Sequence, residues 1–133
     1  MKFVDTNIFL RFLLWDDVAK AEACRKFFEK ALEHHEPLYT TPLVVAEIVW
    51  VLEKFYKYPR DKVVEAVLRI LNTEILYVDN KEILMESLGF YKLKKIDFID
   101  AYNAVVMIER GINFIFSYDK DFDSIKSIHR QEP

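Results

Sequence analysis

Cysteine is almost missing from this chain: Cys24 stands alone among 133 residues. One thiol excludes an internal disulfide and a cysteine-built zinc site, and it suits a reducing compartment. Glycine occurs twice and proline four times, too few for collagen-like, linker-like or turn-rich all-β architectures. No uncharged run approaches the roughly 18 residues of a membrane helix. The opening, MKFVDTN, carries an acid at position 5 and has no apolar signal-peptide core. The expectation is a cytoplasmic protein that does not engage a membrane. Positive charge is not in excess either. Nineteen Lys and Arg face 22 Asp and Glu, for a net charge of −3, with the same balance in both halves. There is no global basic field to hold a polyanion. A nucleic-acid ligand would need a local patch or a metal ion.

What is present is apolar and bulky: 52% hydrophobic and 15% aromatic residues. A chain of this length is expected to form one domain, residues 1–133, and to hide roughly two-thirds of its unfolded surface. No repeat or low-complexity tract interrupts it. Short strand-like runs alternate with longer helical ones. Phe3-Val4 starts as a strand and stops at Asp5, where Thr6 and Asn7 can cap a helix. Asp16-Asp17 opens a second helix through Ala31. Leu38–Thr40 reads as a strand, and Thr41-Pro42 as a cap with proline at the first helical position, leading an apolar helix to about Tyr56. A further helix follows Pro59 and runs through Leu71. Ile75–Val78 reads as a strand, and Asp79 with Glu82 as a capping box whose helix reaches Phe90. The helix from Phe98 to Arg110 should end at Gly111, and Asn113–Ser117 is the last clear strand. This alternation predicts βαβ units and a parallel sheet, whose ligands bind at the carboxyl ends of its strands.

Acids fall at those ends. Asp5 closes the first strand. Asp119, Asp121 and Asp123 follow the last clear one. Asp97 and Asp100 lie three apart at the start of the helix feeding it, and so share a face. Glu47 is the only charged residue in LVVAEIVWVL, residues 43–52. A helix apolar all round is normally buried, so this carboxylate is expected to need a partner or a cleft wall. If Asp5, Glu47, Asp100 and Asp119 converge, their repulsion requires a cation or raised pKa values. Oxygen-only donors suit Mg²⁺ or Mn²⁺, ions that activate water and offset charge on a phosphate. Structural roles compete with this chemistry. Asp5, Asp79 and Asp97 suit ordinary helix caps, Asp121 and Asp123 suit loop acids, and Glu47 suits a buried pair with Arg11 as a candidate. Lys92, Lys94 and Lys95 form the densest basic cluster, and Arg11 follows the first acid. These are the candidate phosphate contacts, against a plain solvated helix end.

Four segments together resemble the PIN-domain ribonucleases, especially the VapC toxins of toxin–antitoxin pairs. They are FVDTNIFLRFLL, TPLVVAEIVWVL, IDFIDAYNAVVMIERG and FIFSYDKDF, in the family's order and across nearly the whole chain. The resemblance implies an α/β fold, a PIN-like three-layer α/β/α sandwich around a central, mainly parallel sheet of four to five short strands. It implies a metal-dependent endoribonuclease with Asp5, Glu47, Asp100 and Asp119 as catalytic and metal-site acids. Asp97 would bind the metal directly or through water. Thr6, Asn7, Ser117 and Asp121 would orient acids or water around them. It further implies an RNA substrate, a homodimer, and a VapB-like antitoxin lodged against helices rich in exposed aromatics, around Phe9, Phe12, Trp15, Phe28 and Trp50–Tyr58. Two other expectations stand beside it. One is a non-catalytic PIN-like module that binds an antitoxin or another protein. The other is a phosphohydrolase of the haloacid dehalogenase type, which also begins with a strand ending in Asp but needs a second Asp where this chain has Asn7.

Overall fold

Two residues suffice for the first strand, β1 (Lys2–Phe3), because its neighbour supplies the ladder. It pairs in parallel with β2 (Leu38–Thr40), which pairs in parallel with β3 (Leu76–Val78). The register sets Phe3 beside Tyr39 and Tyr39 beside Tyr77, with Lys2, Leu38 and Leu76 on the opposite face. The computed structural model covers residues 1–133 and divides into two compact units, Met1–Lys81 and Glu82–Pro133.

In the first unit each strand hands over to a helix through a polar residue. After β1 comes α1 (Thr6–Leu14), which ends on Trp15 in the left-handed region, φ 55°. Asp17 caps α2 (Val18–Glu33), its carboxylate accepting the Lys20 N–H at 3.1 Å. Phe9 of α1 stacks on Phe28 of α2 at 5.7 Å between ring centres. Cys24 on α2 is buried, and burial pushes its thiol pKa up, which makes it an unreactive packing residue. After β2, Thr41 caps α3 (Pro42–Trp50) and Pro42 takes the first helical position, as the sequence predicts. The helix does not run unbroken to Tyr56: residues Val51–Phe55 form a wider π-helical turn. After Pro59 comes α4 (Arg60–Leu71). The core of this unit gathers Val4, Leu38, Val45, Ile48, Leu52, Val67 and Leu71, all at most 2% exposed.

The second unit is carried by α5 (Lys81–Leu93), α6 (Phe98–Glu109), β4 (Phe114–Phe116), a 3-10 turn over Lys120–Ser124, and β5 (His129–Gln131). Gly111 follows α6 with φ +67°, the left-handed value that ends a helix at low steric cost. Tyr91 and Phe98 meet edge to face at 6.2 Å, with Leu84, Leu88 and Val105 fully buried. Strand β5, which no apolar alternation announces, pairs in parallel with β4.

All strand pairings are parallel, as expected, but the strands fall into a sheet of three and a sheet of two rather than one central sheet. Strands of two or three residues carry so few side chains that the sequence pattern marks their presence and not the edge each one joins.

One buried hydrogen bond fixes the end of β1. Thr40, fully buried, donates its Oγ1–H to the Val4 carbonyl at 2.8 Å, while the Val4 N–H donates to the Tyr39 carbonyl at 2.9 Å. Thr40→Val keeps the shape and deprives a buried carbonyl of that donor. The expected loss is about 1–3 kcal/mol of unfolding free energy, read by urea denaturation. An unchanged midpoint would show that the hydroxyl contributes nothing to the strand end.

Candidate functional site

Asp5 is the residue that β1 delivers to its carboxyl end. Of the residues the sequence offers as caps for α1, Asp5 takes the position rather than Thr6 or Asn7. Its Oδ1 accepts the Thr6 N–H at 2.8 Å from extended backbone, and Thr6 is already the first helical residue. Thr6 is buried, while Asp5 and Asn7 are exposed. One carboxylate oxygen is thus engaged with the helix.

Glu47 departs further from expectation. Helix α3 buries Val44, Val45, Ile48 and Val49, whereas Leu43 is 82% and Trp50 60% exposed. Glu47 lies between these two on the exposed face. The helix is apolar all round yet covered on one side only, so its carboxylate needs no buried counter-charge. Nor does Arg11 supply one. Its guanidinium pairs with Asp16 at 3.2 Å, and Asp16 also accepts the Tyr56 hydroxyl proton at 3.0 Å. The Tyr56 hydrogen bond is the chief cause that holds the Asp16 pKa below the ordinary carboxylate value.

In the second unit the acids gather. Asp97 occupies the cap position of α6, with extended backbone, but its carboxylate does not make the capping hydrogen bond. Asp100 sits in the first turn of the same helix, half-buried. Asp119 precedes the 3-10 turn and folds it, its Oδ1 accepting the Asp121 N–H at 2.9 Å. Ser117 acts one step earlier, its Oγ accepting the Asp119 N–H at 3.0 Å. Ser117 therefore orients the backbone that carries Asp119.

Burial raises the pKa of Asp100, and the charge of Asp119 raises it further; Asp119 is also close enough to share its proton. Asp97 and Asp121 add smaller repulsions. Three carboxylates thus act on Asp100. No group of three or more Asp, Glu, His or Cys side chains is arranged to hold a metal ion as it stands. The donor chemistry nonetheless fits a hard divalent cation: these are oxygen donors whose mutual repulsion such a charge would relieve.

Sequence reasoning passed over Arg130. On β5, its side chain only 13% exposed, it pairs with Asp123 at 3.1 Å and Glu132 at 2.9 Å and donates to the Ser117 carbonyl at 2.9 Å. It ties the last strand to both ends of the loop bearing Asp119. No local motif signals this role, because Ser117 and Asp123 lie on a distant segment and Glu132 alone is a sequence neighbour. Lys92, Lys94 and Lys95 are all exposed, at and just beyond the end of α5, where the helix dipole also favours cations.

Comparison with known proteins identifies the family. The PIN domain family model matches residues 2–128. A VapC ribonuclease of Aquifex aeolicus (strain VF5) is 31% identical over 125 residues, covering 94% of this chain and 92% of that protein. The chain belongs to the PIN domain family, and with it to the α/β fold of that family rather than to the dehalogenase-type phosphohydrolases.

Because folding raises the proton affinity of Asp100, the folded state binds more protons than the unfolded one above the ordinary Asp value of 3.8. Stability is therefore lost as pH rises from that value through the folded pKa. Asp100→Asn removes the charge that is penalised. It is expected to raise the Tm of the metal-free protein at pH 7, and to lose that advantage as the pH approaches 3.8. A variant that melts below the parent at pH 7 without metal would contradict the repulsion.

Proposed function

From membership of the PIN domain family, we propose that this protein is a metal-dependent endoribonuclease, the toxin of a toxin–antitoxin pair. The observation that carries the proposal is the 31% identity to a VapC ribonuclease over 94% of the chain, beside the half-buried Asp100 crowded by further carboxylates. Such a group is poised for a cation. Asp5, Glu47, Asp100 and Asp119 are the proposed catalytic and metal-site acids, and Asp97 a further ligand. Mg²⁺ or Mn²⁺ would supply Lewis-acid chemistry and offset charge on the phosphate.

The chain's own residues do the rest. Ser117 and Arg130 hold the turn that presents Asp119, and Asp121 closes that turn through its N–H. Thr6 fixes Asp5 through its N–H, and Asn7 stands beside it. A carboxylate of this set takes the proton from the attacking water. Arg11, Lys92, Lys94 and Lys95 are the proposed phosphate contacts, the three lysines being exposed and Arg11 shared with Asp16.

An antitoxin of the VapB type is the proposed partner. Support comes from an apolar cavity of about 470 Å³ in the first unit, lined by Phe9, Phe12, Leu13, Phe28, Ile70 and Leu76, with Arg25, Glu29 and Arg69 also at its wall. Its chemistry suits the apolar face of an amphipathic helix. The homodimer, and residues 1–133 as one functional domain, rest on the family resemblance. No helix is long and apolar enough to cross a membrane, and an RNA substrate suits a cytoplasmic protein.

The test is cleavage of a mixed-sequence single-stranded RNA with Mn²⁺, Mg²⁺ or EDTA. Activity that needs the metal and falls about 100-fold or more in Asp100→Asn and in Glu47→Gln is expected. Full activity in either variant overturns that residue's assignment. Metal binding without cleavage of any RNA would make the protein a binding module instead. Lys94→Ala with Lys95→Ala is expected to weaken RNA binding and flatten its salt slope by about 1.4, two phosphate contacts at roughly 0.7 each. An unchanged slope would return these lysines to solvent.

A further inference from the structure

Leu43, Glu47 and Trp50 succeed one another at spacings of four and three, and so form one stripe along α3. The stripe is exposed throughout: Leu43 82%, Trp50 60%, with Glu47 open between them. Lys54, four residues beyond Trp50, is also exposed, in the π-helical turn. A tryptophan left this open has an aromatic face with nothing packed over much of it. From Trp50 to Arg60 the chain carries three cations, Lys54, Lys57 and Arg60, and one acid, Glu53. Glu53 is shared by Arg60 at 3.1 Å and Lys54 at 3.7 Å, so positive charge is in surplus at that end of the stripe.

We propose that Trp50 is a base-stacking platform for single-stranded RNA, with Lys54 and Lys57 taking the adjoining phosphates. The proposal rests on the nuclease reading, which puts Glu47 at the scissile phosphate, one turn of α3 from Trp50. Three features select RNA as the occupant. The aromatic face offers stacking to any unpaired base. The cationic end complements the backbone charge. The carboxylate in the middle opposes a protein contact, since interface cores are depleted of charge and Glu47 would be desolvated there. Trp50 thereby sets which nucleotide lies next to the cut and favours unpaired strands, because a base inside a duplex has no free face. It positions substrate and takes no part in the bond-breaking step.

The experiment uses the full chain in EDTA, so that binding is read without turnover. Replacing the only other tryptophan, by Trp15→Phe, leaves Trp50 as the sole tryptophan, read by excitation beyond the absorption of the seven tyrosines. Titration with a mixed-sequence single-stranded RNA should quench it saturably, and the matching duplex should do so far less. Trp50→Ala should weaken single-strand binding roughly tenfold or more, while Trp50→Phe stays within about threefold. With metal present, Trp50→Ala should raise KM and largely spare kcat, with circular dichroism unchanged. Equal RNA affinity in Trp50→Ala, or an unquenched Trp50, overturns the proposal. So does a Trp50→Ala protein that changes oligomeric state and keeps its RNA affinity, which would give the stripe to a protein contact. If the parent cuts RNA and Trp50→Ala cuts it equally well, the platform fails and the nuclease stands. If the parent neither binds nor cuts RNA, both fail together.

Discussion

Parallel pairing of very short strands is the constraint on which the rest of the structure depends. Parallel strands cannot turn back on themselves, so each must pass into a crossover segment at its carboxyl end. In this chain the strands have two or three residues, and the hand-over begins almost at once. It demands a residue that can leave extended backbone and satisfy the first N–H groups of the next element. Asp5 does this after β1, Thr41 after β2, and Asp119 at the turn after β4. After β3, Asp79 instead receives the Tyr39 hydroxyl across the sheet. Polar groups are thereby collected at strand ends by the needs of folding. Under the proposed function, chemistry at those ends exploits an arrangement the backbone already requires.

That economy explains what the sequence conveyed and what it concealed. Leu38–Thr40, the cap at Thr41 with Pro42, and the stop at Gly111 were readable because each rests on a local rule about one or two residues. Asp97, Asp100 and the Asp119 turn stood out for the same reason, as acids at element starts. The exposure of Glu47 was hidden because apolar composition reports what a helix could bury and not what arrives to cover it; Leu43 and Trp50 stay open. Strand β5 and Arg130 were invisible because HRQ has no alternation and Arg130 reaches Ser117 and Asp123 only through the fold. The π-helical turn after Trp50 likewise has no signature in VLEKF.

Charge organises the second unit in two layers. The inner layer is repulsive: Asp100 is penalised by burial and by its acidic neighbours. The outer layer is attractive, with Arg130 pairing Asp123 and Glu132 beside the same loop. Like charges therefore stay close because the surrounding loop is fastened independently of them. Under the proposed function this is preorganisation, with the cost of assembling anions met during folding and not during binding.

Under the proposed function Asp5 holds two posts at once, helix cap and metal-site acid, and they can be separated. The cap on α1 uses one carboxylate oxygen and no net charge, and Asn, Ser or Thr fill such a position about equally well. A single nucleotide change could therefore empty this position of its charge while the helix, and with it the fold, persists. For a lineage that must sometimes disarm a harmful protein without filling the cell with misfolded chains, position 5 offers a silent exit. An inactive descendant bearing Asn there would still present every surface by which its partners know it.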